Sequence, residues 1–148
     1  MTSVDLVVET EIAAAPADVA AIMFDPQREP EWMQAIKRVE VIDPALQPGA
    51  RVRRTASFMG RELSWTTEVE AVHFPHVLKL KVADGPFTGT ILYQIQRSAN
   101  GSVVRIHNDG QTSMLGFLPS SLIEAPMRSA LTADLARLKS LVEGTQAS

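Results

Sequence analysis

Five polar residues sit where the surrounding pattern is apolar, and they are the side chains best placed for chemistry. Strand alternation puts Arg54 on one face with Val52, Ala56 and Phe58, and Thr67 on one face with Leu63, Trp65, Val69 and Ala71. Tyr93 shares a row with Ile91 and Ile95, and Asn108 a row with Val104 and Ile106. An arginine in such a row pairs a ligand carboxylate or phenolate. Its place in the run Arg51-Val52-Arg53-Arg54, near a strand start, gives more weight to a guanidinium that snorkels out to water. Trp65 and Tyr93 are the inward aromatics; packing is their first role, and their polar atoms can also orient a ligand. Thr67 and Asn108 bond a ligand oxygen, or equally each other or a buried water. Asp134 falls on or beside the apolar stripe of a helix. A carboxylate there is a general base with a raised pKa, a partner for Arg54, or the polar edge of the stripe. Arg54, Tyr93, Asn108 and Asp134 are thus the candidate catalytic residues.

Other chemistries find little support. The 148-residue chain has no cysteine, hence no disulfide and no thiol nucleophile. His73 and His76 flank Pro75 in a turn and His107 stands apart, so no metal-ligand spacing such as HExxH appears and no metal site is expected. There is no GxSxG elbow and no glycine-rich phosphate loop. No cofactor is implied. The net charge of -3 gives no bulk attraction for nucleic acid or an anionic membrane. The opening MTSVDLVVET is not patterned as a signal peptide, and no apolar run is long enough to span a bilayer. The expectation is one cytoplasmic domain over residues 1–148. Oligomeric state, a homodimer included, stays open.

The elements that must position these side chains follow from changes of hydrophobic period. Residues 4–12 alternate as a strand, and Pro16 opens a short helix with Val19, Ile22 and Met23 on its apolar side. From Ile36 the period returns to two, giving strands near 36–43, 51–58, 62–73, 77–83, 87–97 and 102–113. Pro48-Gly49, Met59-Gly60, Phe74-Pro75-His76, Asp84-Gly85-Pro86 and Asn100-Gly101 supply the turns. Met127, Leu131, Leu135, Leu138 and Val142 then recur at helical spacing. Ser121 and Glu124 read as a capping box for that helix, whereas Pro126 implies a kink or a start near Ala125. The fold class is α+β: a seven-stranded curved antiparallel sheet wrapped around a long C-terminal helix, with two short helices between strands 1 and 2. One helix cannot fill such a sheet, which favours a cavity.

Within the stretch DPQREPEWM, residues 25–33, the charges and prolines face solvent, and Trp32 and Met33 turn inward. Trp32 is a wall or lid of the cavity, with core packing an equal alternative. The other expected wall residues on the sheet are Phe58, Trp65, Thr67, Leu78 and Leu80, then Ile91, Tyr93 and Asn108. The long helix contributes Met127 and Leu131. Met59, Met114 and Phe117 either close the mouth or pack.

The order of these pieces resembles the START-like superfamily (SRPBCC) of polyketide cyclases and lipid-transfer proteins, with the helix-grip fold. The pieces that carry the resemblance are IAAAPADV, FDPQREPEW, QPGARVRR, TTEVEAVHFPHVLKLKV, GPFTGTILYQIQ and ALTADLARLKSLVEG. What the resemblance implies is a hydrophobic ligand cavity between sheet and long helix, and no single reaction. The leading expectation is a binding protein for a lipid, polyketide or aromatic compound, without catalysis. A polyketide cyclase, dehydratase or aromatase is the alternative, and a protein-interaction module is a third.

Overall fold

The computed structural model describes residues 2–58, 60–82, 84–112 and 119–147, without the side chains of Phe58 and Ala147. Met59, Met114, Phe117 and the Phe58 side chain therefore lie outside the described residues. In order, the elements are β1 (Thr2–Ile12), α1 (Pro16–Met23), a 3-10 turn (Pro26–Arg28) and α2 (Glu29–Trp32). They continue with β2 (Ile36–Val41), β3 (Arg51–Phe58), β4 (Arg61–His73), β5 (Val77–Val82), β6 (Phe87–Ser98), β7 (Gly101–Thr112) and α3 (Ser120–Ala147). The strands form one antiparallel sheet in the order β1-β7-β6-β5-β4-β3-β2, so β2 to β7 are a meander and β1 returns to pair with β7. This is the helix-grip arrangement.

Strict alternation makes the sheet two-faced. Val4, Leu6, Val8 and Ile12 of β1 are buried between exposed neighbours. Two glycines, Gly89 and Gly110, face each other across β6 and β7. A Cβ on Gly110 would lie 2.0 Å from the Thr88 carbonyl oxygen, and one on Gly89 2.2 Å from that of Asp109. Only glycine permits so close an approach of two backbones.

Three details differ from the sequence expectation. The alternation of β4 breaks at Glu70, where the register against β5 shifts between Val69 and Ala71. A bulge of this kind changes parity. Val72, paired with Leu78, packs against the core in place of Ala71. Second, β2 ends at Val41, because the amides of Ile42 and Asp43 both turn to the Arg51 carbonyl oxygen. The Asp43 carboxylate locks that turn by accepting from Arg51 N and Nε, both at 3.0 Å.

The third concerns α3, which starts at Ser120 and runs through Pro126. Ser121 and Glu124 do not form a capping box. The Glu124 carboxylate instead accepts from the Asp5 amide at 3.2 Å, and Ser120 Oγ donates to the Ser3 carbonyl at 2.9 Å. The β1 edge thus holds the first turns of α3 in place. No described helix is long and apolar enough to cross a membrane.

The main core lies where α1, α2 and α3 meet the sheet. Trp32, Ile95, Val104, Leu138 and Val142 are wholly buried there. A smaller cluster at the start of α3 joins Ile123 to Val4 and Leu6, with Phe87, Met127 and Leu131 against it. Leu138→Ala is expected to cost about 2–5 kcal/mol in urea unfolding, because its cavity cannot collapse in this packing. Leu122→Ala, at an exposed site of the same helix, should stay within about 0.5 kcal/mol.

Candidate functional site

Asp25 opens the segment between α1 and β2 by accepting the Gln27 amide at 3.0 Å, which shapes the 3-10 turn. Arg28 and Glu31 pair on the outside at 2.8 Å. These residues face solvent, as the sequence suggests, but Glu29 does not. It is 3% exposed, and its carboxylate enters the space between sheet and helices. There it meets Arg54, 6% exposed, whose side chain does not snorkel out. Nε donates to Oε1 at 2.6 Å and Nη2 to Oε2 at 2.7 Å, a bidentate fork. Nη1 donates to Thr67 Oγ1 at 2.5 Å. Arg54 stays inside because its strand places it between Val39 and Trp65, away from water, and a carboxylate is there to meet it.

Burial works against the Arg54 charge, and the Glu29 carboxylate more than restores it. Tyr93 borders the same space. Burial, reinforced by the Glu29 charge, pushes its phenol well above the ordinary value, so it stays protonated at neutral pH. Its ring stands edge-on to Trp32 at 6.3 Å and is stacked with Phe24 at 6.4 Å.

These groups close around a cavity of about 50 Å³ lined by Glu29, Met33, Ile36, Arg54, Trp65, Thr67, Leu80, Ile91 and Tyr93. A larger concavity of about 460 Å³ lies over the outer face of β2 to β4, among Arg38, Val39, Glu40, Arg53, Thr55 and Ser64. It is an open polar groove in which Thr55 and Ser64 bond each other at 3.1 Å. The inner cavity is the candidate site, because the buried charges and the aromatic walls converge there.

Of the residues expected at the site, Arg54, Trp65, Thr67, Leu80, Ile91 and Tyr93 come together on this cavity. Trp32 is fully buried behind Tyr93, in the core rather than on the lining. Leu78 is also in the core. Met127 packs against the smaller cluster and Leu131 against both clusters. Asn108 lies between Leu6 and Ile91 in the sheet register, and its buried Oδ1 has no partner among the described residues. Thr67 and Asn108 do not satisfy each other: Thr67 Oγ1 accepts from Arg54, and Asn108 Oδ1 has no partner among the described residues.

Asp134 does not pair with Arg54. Its carboxylate accepts from the Gln34 amide at 3.4 Å and from Arg137 Nη2, while Arg137 Nε donates to the Trp32 carbonyl at 3.0 Å. Asp134 and Arg137 therefore fasten the end of α2 to α3, as Arg54 fastens its beginning to the sheet. Burial raises the Asp134 pKa, and the bonds from Gln34 and Arg137 pull it back only in part. No cluster of three metal-ligating side chains occurs among the described residues. Glu29 is the site residue that the sequence reading missed. The signal was Arg54 itself: an arginine in an inward row demands a carboxylate, and the segment before Trp32 supplies several acids.

The sequence matches the family described as polyketide cyclase/dehydrase and lipid transport over residues 3–143. No curated protein matches it. Among solved structures it is similar to the protein TTHA0849 from Thermus thermophilus, with a TM-score of 0.80 and 19% identity over 95% of this chain and 98% of that one. It is also similar to the di-domain ARO/CYC StfQ from the steffimycin biosynthetic pathway, with a TM-score of 0.82 and 12% identity over 99% of this chain and 53% of that one. The KanY protein (ms6282) aligns with a TM-score of 0.75 and 21% identity over 97% of this chain and 99% of that one. These identities speak for the fold alone.

Two expected outcomes follow from the geometry. Glu29→Ala leaves a buried guanidinium without its carboxylate and should cost about 3–5 kcal/mol in denaturant unfolding. Adding Arg54→Met should recover most of that loss. If the double variant is as unstable as the single one, the cost lies in packing and not in charge. The second outcome concerns pH. With its folded pKa raised, Asp134 favours the folded state below its unfolded pKa of about 3.9, and that contribution is lost as pH rises through the folded pKa. The stability of Asp134→Asn relative to the parent should therefore improve between about pH 4 and pH 7. A relative stability that worsens over this range would mean that the Arg137 bond outweighs burial.

Proposed function

The chain belongs to the polyketide cyclase/dehydrase and lipid transport family, and on that premise we propose that it binds a lipid, polyketide or aromatic compound between the sheet and α3. The observation that carries this reading is the inner cavity: walls of Met33, Ile36, Trp65, Leu80, Ile91 and Tyr93 around one buried ion pair. Apolar walls with few convergent polar groups are the usual make-up of small-molecule sites. At about 50 Å³ the cavity has room for a few waters or a small group. A drug-sized ligand needs roughly 300 Å³ or more. Binding on this reading therefore includes a displacement of α2, which is one turn long and held at both ends by side chains.

A cyclase or dehydratase acting on a polyketide-like substrate is the second reading. The observation in its favour is that a fixed guanidinium, Arg54, and a phenol kept protonated, Tyr93, border one cavity. Arg54 would stabilise enolate charge and Tyr93 would donate a proton or hydrogen bond to it. Asn108 and Asp134 would act from outside that lining.

Thermal shift with long-chain alcohols, fatty acids and aromatic polyketides tests the binding reading. A ligand at about 100 times its Kd should add about 2.7 kcal/mol, raising Tm by roughly 5–10 °C for a chain of this size. No shift with any apolar compound would overturn it. Incubating the protein with a linear poly-β-ketone and watching for ring formation or water loss separates the enzyme from the binder.

A further inference from the structure

We propose that Glu29 occupies the place of the ligand's own anionic group, so that the site selects apolar molecules carrying a carboxylate or phenolate, which exchange with Glu29 on Arg54. This rests on the binding reading above and adds the chemical class of the ligand. It begins with an asymmetry. Arg54 lies in the interior of β3, paired with strands on both sides, and its third donor is fixed by Thr67. Glu29 comes from the joint between a 3-10 turn and a one-turn helix, outside the sheet. The cation is therefore built into the scaffold, and the anion is carried by the segment that can move.

A buried ion pair is weak evidence for stability, since apolar residues of similar size do as well or better in its place. Recognition gives it a purpose. A ligand carboxylate can accept the same two N–H groups that Glu29 accepts now, at 2.6 and 2.7 Å, with no change in buried charge. Glu29 regains its hydration when it leaves. A neutral ligand can offer the guanidinium a single hydroxyl or carbonyl acceptor but no charge, so it must leave the pair intact or break it undercompensated. The exchange also opens room for the anionic group, while the apolar body still needs the displacement of α2 described above. Glu29 and Arg54 both line the cavity, so withdrawal of the Glu29 side chain enlarges it where the anionic group would sit. Met33, Ile36, Leu80 and Ile91 then receive the apolar body.

The test compares decanoate with 1-decanol, two probes of equal chain length, by calorimetric titration of the parent and of Glu29→Gln. Removing the internal competitor should tighten decanoate binding by about tenfold or more, and leave decanol within about twofold. Decanoate should also restore the Tm that Glu29→Gln loses, and decanol should not. Equal changes for both probes would overturn the anion assignment and leave the binding reading standing. If neither protein binds either probe, the binding reading falls and takes this proposal with it. Should Glu29→Gln not fold, Glu29→Asp keeps the charge and withdraws the carboxylate by one methylene. It too must bind decanoate more tightly than the parent, and an unchanged affinity overturns the proposal. In Arg54→Met the preference for decanoate over decanol should vanish in either background.

Discussion

The bidentate pair between Glu29 and Arg54 is the interaction on which the arrangement of the site depends. A helix of one turn has almost no stability of its own, and α2 is such a helix. Its position is set from outside. The sheet takes hold of its first residue through Arg54, and α3 takes hold of its end through Arg137 and Asp134. Between these two fastenings Trp32 is carried down into the core. The cavity between the sheet and the α2 segment is thus bounded partly by charge and not by packing alone.

That mode of closure bears on function. An apolar strap over an apolar cavity would respond to any hydrophobic ligand in the same way. A strap closed by a carboxylate on a guanidinium responds to charge as well as to apolar area. The protonated Tyr93 phenol, the Thr67 hydroxyl, the Arg54 guanidinium and the indole of Trp65 are polar side chains on the cavity lining besides Glu29 itself. Three buried polar atoms, Trp32 Nε1, Ser98 Oγ and Asn108 Oδ1, have no partner among the described residues. The interior is therefore sparse in polar groups but not saturated, which suits both a binder and an enzyme that works by positioning. Membership of the family accommodates either.

Much of the fold was legible in the sequence. Alternation in β1, β6 and β7, turn residues at each reversal and the heptad-like stripe of α3 all point the same way, and all seven strands appear in order. Local patterns fail where a long-range partner decides the outcome. Glu29 looks solvated because it stands among charges and prolines, and its partner is 25 residues further on. The bulge at Glu70 leaves no mark on composition, yet it exchanges Ala71 for Val72 on the inner face. The start of α3 depends on Asp5 and Ser3, at the opposite end of the chain. At the site, strand parity put Trp65, Thr67, Leu80, Ile91 and Tyr93 on the face that lines the cavity, but it also put Leu78 and Asn108 there, which lie off the lining. The roles of Arg54 and Asp134 were not readable, since parity says which way a side chain points and not what it meets.

The central claim is that charge on Glu29 holds α2 shut, and amide hydrogen exchange in Glu29→Gln reads it most directly. The amides of Met33, bonded to the Glu29 carbonyl at 2.7 Å, and Gln34, bonded to Asp134, report the closed strap. Exchange at these two amides is expected to speed up relative to the parent, while the amides of the β6–β7 ladder keep their protection. Unchanged exchange at Met33 and Gln34, or an increase spread evenly over strap and ladder, would contradict it.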